Sequence, residues 1–123
     1  MTAIAFYGTS LPGYHRALPD DWGEYGPECL IRGSLYDAGS FAALAEGDDL
    51  TVGRIWTPRA NTRRAFGVLI PSHGDFERRV VSLSDPRGLK VWVFFYRGDV
   101  SKFKRVASGD WRAYVSMDRK RAA

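Results

Sequence analysis

The sequence predicts a strand-rich α+β domain, closed or nearly closed, carrying one or two helices. Three observations lead there. Short apolar or β-branched runs recur between turn signals, the pattern of half-buried strands. The 123 residues are one domain's length, with no repeat, low-complexity stretch or linker to divide them. A content of 45% hydrophobic and 26% charged residues suits a packed core and excludes a disordered chain.

Taken in order, "AIAFY" (Ala3 to Tyr7) is the first strand, and it runs directly into Gly8, Thr9 and Ser10. The segment Leu11 to Leu30 is long for a connection and dense in proline, glycine and aromatics, which marks a binding loop or lid. "LIRGSLY" (Leu30 to Tyr36) and "LTVGRIW" (Leu50 to Trp56) follow as strands, and between them Ser40 to Gly47 reads as a short helix or equally as a loop. Thr57 and Pro58 can cap and open a helix over Arg59 to Leu69, with Phe66 and Leu69 on one face. "RRVVSL" (Arg78 to Leu83) and "LKVWVFFY" (Leu89 to Tyr96) form a hairpin about the "SDPRG" turn, Ser84 to Gly88. The second of these is apolar on both faces and so belongs inside the sheet, while "RAYVSM" (Arg112 to Met117) offers a sixth strand.

Composition excludes several functions. No apolar run reaches the roughly 18 residues of a membrane span, and no basic, apolar and cleavable leader opens the sequence, so a cytoplasmic protein with no membrane partner is expected. The lone Cys29 has no partner for a disulfide and reads as a buried structural thiol. The net charge of +4 raises nucleic acid as a partner, but the 14 arginines are scattered, and the densest run, Asp118 to Arg121, reads as a solvated tail. No zinc-ligand spacing, helix-turn-helix pattern or aromatic RNA-binding strand accompanies the charge, so nucleic acid is disfavoured and no cofactor is called for. The oligomeric state is open.

Three stretches in order carry a family resemblance. "FYGTSL" (Phe6 to Leu11) resembles the Tyr-Gly-Ser/Thr strand-to-loop motif of the γ-glutamylcyclotransferase-like family. "IRGSLYDAGSFAAL" (Ile31 to Leu44) resembles its Gly-x-Leu-Tyr strand, and "VASGDWRAY" (Val106 to Tyr114) is similar to the Ser-Gly-Asp-Trp ending of many small bacterial members. "VGRIW" and the "FERR" to "FFYRG" hairpin fall where the family has its Gly-x-x-Tyr strand and Tyr-x-Arg hairpin. The resemblance implies a small mixed β-barrel flanked by one to three helices, over a single domain of residues 1–117 with a basic tail at 118–123. It also implies a small-molecule cavity at the barrel mouth, closed by the long loop.

The reaction implied by that resemblance is intramolecular: the α-amine of a γ-glutamyl group attacks its own γ-carbonyl, releasing an amine and 5-oxoproline. The amine must lose a proton to a base, and the carbonyl oxygen needs fixed donors. Tyr7, Gly8, Thr9, Ser10 and Leu11 match the donor loop, and Tyr36 is a candidate pocket residue on its strand. Gly8 equally serves a tight strand exit, and Arg32 either meets a substrate carboxylate or lies solvated. The family's glutamate has no counterpart: Ile70 takes its place, and no Asp or Glu occurs from Thr51 to Gly74. His73 is a candidate base there; Asp75 and Glu77 lie farther on, and His15 is comparable in the long loop. Arg78, after Phe76, is expected to anchor the hairpin through hydrogen bonds, and Asp110 with Trp111 to lock the last strand. Three readings stay open: a metabolite-binding member that does not cyclise its ligand, an active amide cyclotransferase with His73 or Asp75 as relocated base, and an interaction module for protein or nucleic acid.

Overall fold

The computed structural model describes residues 3–14, 17–59 and 75–122. Its strands are β1 (Ile4–Phe6), β2 (Gly23–Asp37), β3 (Ala42–Pro58), β4 (Phe76–Ser82), β5 (Lys90–Tyr96) and β6 (Lys104–Arg105), followed by helix α1 (Trp111–Ala122). They form one mixed sheet in the order β4-β5-β1-β3-β2-β6, in which only β1 and β5 run parallel. The sheet curls into a half-barrel of mostly strand with a single short helix among the described residues.

Alternation places the core. Along β5, Val91, Val93 and Phe95 are buried and turn inward to join Ala5, Tyr7, Ile31, Leu35 and Leu44, while Trp92, Phe94 and Tyr96 are half-buried on the other face. β5 lies between β4 and β1, so both its faces meet protein, as its two-sided apolar sequence requires.

The curl comes from two irregularities in the β2–β3 hairpin. Between the pairs Arg32–Leu50 and Ser34–Ala45, β3 carries Glu46 to Asp49 while β2 carries only Gly33. A second register shift falls at Gly26 and Pro27, where the Arg54 guanidinium donates to the Gly26 carbonyl. Such bulges bend a strand and increase its twist. The hairpin thereby folds back towards β4 and β5 and is joined to them at three levels. Phe41 packs edge-on against Phe76 at 5.7 Å between ring centroids. Arg79 meets Glu46 at 2.5 Å. Leu30 exchanges main-chain bonds with the β4–β5 turn, donating to Asp85 at 2.8 Å and accepting from Ser84 at 2.9 Å.

Three expectations are corrected. Ser40 to Gly47 is neither helix nor loop beyond Phe41: Ala42 to Ala45 pair with Ser34 to Asp37, and this buries Ala42, Ala43 and Leu44. A lone helical turn could not bury residues on both of its sides, whereas a paired strand does. Thr57 and Pro58 do not open a helix, because β3 continues through them, pairing Pro58 with Gly23 and Thr57 with Glu24; residues 60–69 of that expected helix lie outside the described residues. Arg112 to Met117 belongs to α1 and not to a strand. Asp110 caps it: the Ala113 N–H donates to Asp110 Oδ1 at 3.2 Å and the Tyr114 N–H to the Asp110 carbonyl at 3.0 Å. Trp111, Tyr114 and Val115, spaced three and four apart, then turn one face to the core. Gly109, at φ +67°, makes the left-handed entry to this cap, and a side chain there would strike the Leu50 carbonyl.

Candidate functional site

β1 ends against β5, and the residues that follow form a turn. Tyr7 is buried and its hydroxyl donates to the Phe94 carbonyl at 2.6 Å. Burial pushes this phenol well above its ordinary pKa of 10.0, so it stays protonated and tied to β5. Gly8 does not take a left-handed conformation. Its need for glycine is steric, because a Cβ would lie 2.5 Å from the Ala42 Cβ at the start of β3. The Leu11 N–H then donates to the Gly8 carbonyl at 3.0 Å, closing a four-residue turn with Thr9 and Ser10 at its centre. No non-glycine residue described has positive φ, which gives this turn the type I sense and not type II. Leu11 is buried and anchors the turn in the core.

Among the described residues no acceptor takes the N–H of Thr9 or Ser10. Both side chains are half-exposed. Two consecutive N–H groups and two hydroxyls on a turn pinned from behind can receive an anionic or polarised oxygen.

The following loop is held on two sides. The Tyr25 hydroxyl, on β2, donates to the Ser10 carbonyl at 2.5 Å and accepts from the Leu18 N–H at 3.0 Å. The Arg112 guanidinium, on α1, donates to the Pro12 carbonyl and lies 5.4 Å from the Tyr14 ring centroid.

Of the residues the sequence singles out, Tyr7 to Leu11 and Asp75 fall at one end of the sheet. β1 and β5 are parallel, Phe76 pairs with Tyr96, and the Asp75 carbonyl accepts from the Arg97 N–H at 2.8 Å. The Asp75 side chain is exposed. Tyr36 pairs with Ala43, on the face of the hairpin opposite to Leu35 and the Ala42–Gly8 contact. Arg32 is exposed on β2. His15, Ile70 and His73 lie outside the described residues. Cys29 is buried, and burial pushes its thiol up to about 11.

The hairpin anchor is corrected from Arg78 to Arg79. Alternation turns Arg78 outward, with its guanidinium 4.2 Å from the Trp92 ring centroid. Arg79 faces inward, donates to Glu77 through Nε at 3.1 Å and Nη2 at 2.9 Å, meets Glu46, and covers the Phe95 ring at 4.7 Å. Tyr25, Arg79 and Arg112 carry no local sequence signal, since the bonds that give them roles reach 15, 33 and 100 residues along the chain. Among the described residues no cluster of His, Cys, Asp or Glu could hold a metal, and no helix is long and apolar enough to cross a membrane.

The curled half-barrel has solved counterparts. An uncharacterised protein, PH0828, from Pyrococcus horikoshii shares the fold at a TM-score of 0.78 and 18% identity, with 98% of each chain covered. The uropathogenic Escherichia coli protein c4763 does so at 0.74 and 18%, covering 94% of this chain and 95% of that one. Allophanate hydrolase of Kluyveromyces lactis matches at 0.69 and 15%, over 95% of this chain but only 21% of that much longer one. The sequence model of the AIG2-like gamma-glutamyl cyclotransferases matches residues 4–113, and the chain belongs to that family. No functionally curated protein matches it.

Proposed function

We propose that this chain binds a small γ-glutamyl or related carboxylate- or amide-bearing metabolite at the Tyr7–Leu11 turn, and that it does not cyclise it. The observation that supports this most is that no described acceptor takes the N–H groups of Thr9 and Ser10, in a turn fixed by Tyr7, Leu11 and the Gly8–Ala42 contact. Donors already in place stabilise charge on an incoming oxygen without reorganising when it arrives.

Cyclisation needs a base as well. In the resemblance, Ile70 stands where the family's glutamate is expected, and the stretch from Thr51 to Gly74 holds no carboxylate to replace it. An ammonium that keeps its proton cannot attack the γ-carbonyl, so the ligand is held and not turned over.

The test is a calorimetric titration of the full chain with γ-glutamyl methylamide, alongside a 5-oxoproline assay on wild type and Ile70→Glu. Binding is expected in both proteins, with 5-oxoproline released only by the variant. Release by wild type that is abolished in His73→Ala or Asp75→Asn would replace this reading with that of an active enzyme bearing a relocated base. Absence of binding to the folded wild type would overturn it outright.

A further inference from the structure

We propose that Tyr25 is a positioning residue that holds the anion-accepting turn in register; the inference rests on the binding role given to that turn above. The Ser10–Leu11 peptide unit is fixed at both ends. Its N–H, on Leu11, donates to the Gly8 carbonyl at 3.0 Å, and its carbonyl, on Ser10, accepts the Tyr25 hydroxyl at 2.5 Å. The Thr9 and Ser10 N–H groups project from the peptides immediately before this unit. Rotation about the Ser10 backbone would re-aim them, and the Tyr25 bond opposes that rotation.

The same oxygen also closes the loop at its far end, because it accepts from the Leu18 N–H at 3.0 Å. One phenol therefore ties Ser10 to Leu18 and both to β2, where Tyr25 pairs with Trp56 in the register. Burial keeps this phenol protonated by raising its pKa, which a donor to a carbonyl requires. Arg112 restrains the same loop independently, at Pro12 and Tyr14. The two restraints differ in what they touch: Tyr25 holds the peptide next to those that carry the donors, and Arg112 holds the chain beyond it. Tyr25 lies in the stretch "WGEYGPE", and without the fold it reads as one more aromatic in a loop.

Tyr25→Phe keeps the ring and removes the hydroxyl alone. In ¹⁵N-labelled wild type, γ-glutamyl methylamide is expected to move the Thr9 and Ser10 amide proton resonances downfield. In Tyr25→Phe the affinity is expected to fall roughly five- to twentyfold, the worth of one or two hydrogen bonds, with both shifts diminished. Arg112→Gln should change affinity less than threefold, about 0.6 kcal/mol, and leave the shifts in place. Equal losses in the two variants would reduce Tyr25 to a general loop restraint and overturn the proposal, as would a folded Tyr25→Phe that binds like wild type. Should wild type bind no methylamide, the binding role fails, and amide exchange in the free protein decides for Tyr25. Faster exchange at Leu11 in Tyr25→Phe but not in Arg112→Gln sustains its hold on the turn, and unchanged exchange refutes it.

Discussion

Replacing Gly8 by alanine isolates the contact that lets the candidate turn close against β3. The added Cβ would sit 2.5 Å from the Ala42 Cβ, where ordinary contact begins at 3.4 Å. Both atoms lie on or next to backbone held by the sheet, so neither can swing aside as a long side chain would. Overpacking of this size costs about 1–3 kcal/mol. Gly8 has no left-handed φ to lose, so alanine meets no backbone strain of its own. Ala42→Gly alone should cost about 1–2 kcal/mol, from glycine in a strand and one buried methyl lost. Once Ala42 is glycine the clash is gone, and Gly8→Ala should turn neutral or stabilise by about 0.4–1 kcal/mol through the unfolded chain. Urea unfolding of the wild type, both single variants and the double variant gives the coupling directly. If Gly8→Ala costs the same in both backgrounds, steric contact with Ala42 is not the reason for glycine at this position.

Two further expectations concern the frame around the site. Cys29 has its thiol raised from 9.0 to about 11 by burial, so its contribution to stability should be intact below pH 9 and lost as pH rises through 11. Urea unfolding between pH 8 and 11 should show this loss in wild type beyond that of Cys29→Ala, and identical profiles would count against it. Asp110→Ala removes the side-chain cap from α1 and should cost about 1 kcal/mol, read as a lower urea midpoint, with no change expected in methylamide affinity.

β1 and β5 are legible in the sequence because their composition and alternation agree. "AIAFY" and "LKVWVFFY" fall on β1 and β5, and the Ser84 to Gly88 turn joins β4 to β5. β2 and β3 show only in part in the sequence. Pro27 and the glutamates hid the first part of β2, and "AALAEGDD" has the composition of a helix while its neighbours in space make it a strand. The segment of α1 resembles a strand in sequence because Tyr114 and Val115 suit either, although their spacing from Trp111 fits a helical face. At the site, Tyr7 to Leu11 could be picked out because the turn is local. The side chains that brace it could not, since their partners meet only when β2 and α1 pack around the loop.

The parallel pairing of β1 with β5 has a bearing on how the chain reaches this state. Ile4 has its neighbour at Trp92, on the second strand of the β4–β5 hairpin, with the whole β2–β3 hairpin between them in sequence. Hairpins close over short distances and form early, whereas a contact of such separation waits for a long stretch of chain to be ordered. During synthesis, residues 4–6 can find β3 but not β5 until most of the domain has left the ribosome. The Tyr7 hydroxyl reaches Phe94 only then, so the turn beside it is among the last features to be assembled. A nascent chain stalled before β5 would bear the turn's residues but lack its anchorage, and the turn is braced from behind only near the completion of the fold.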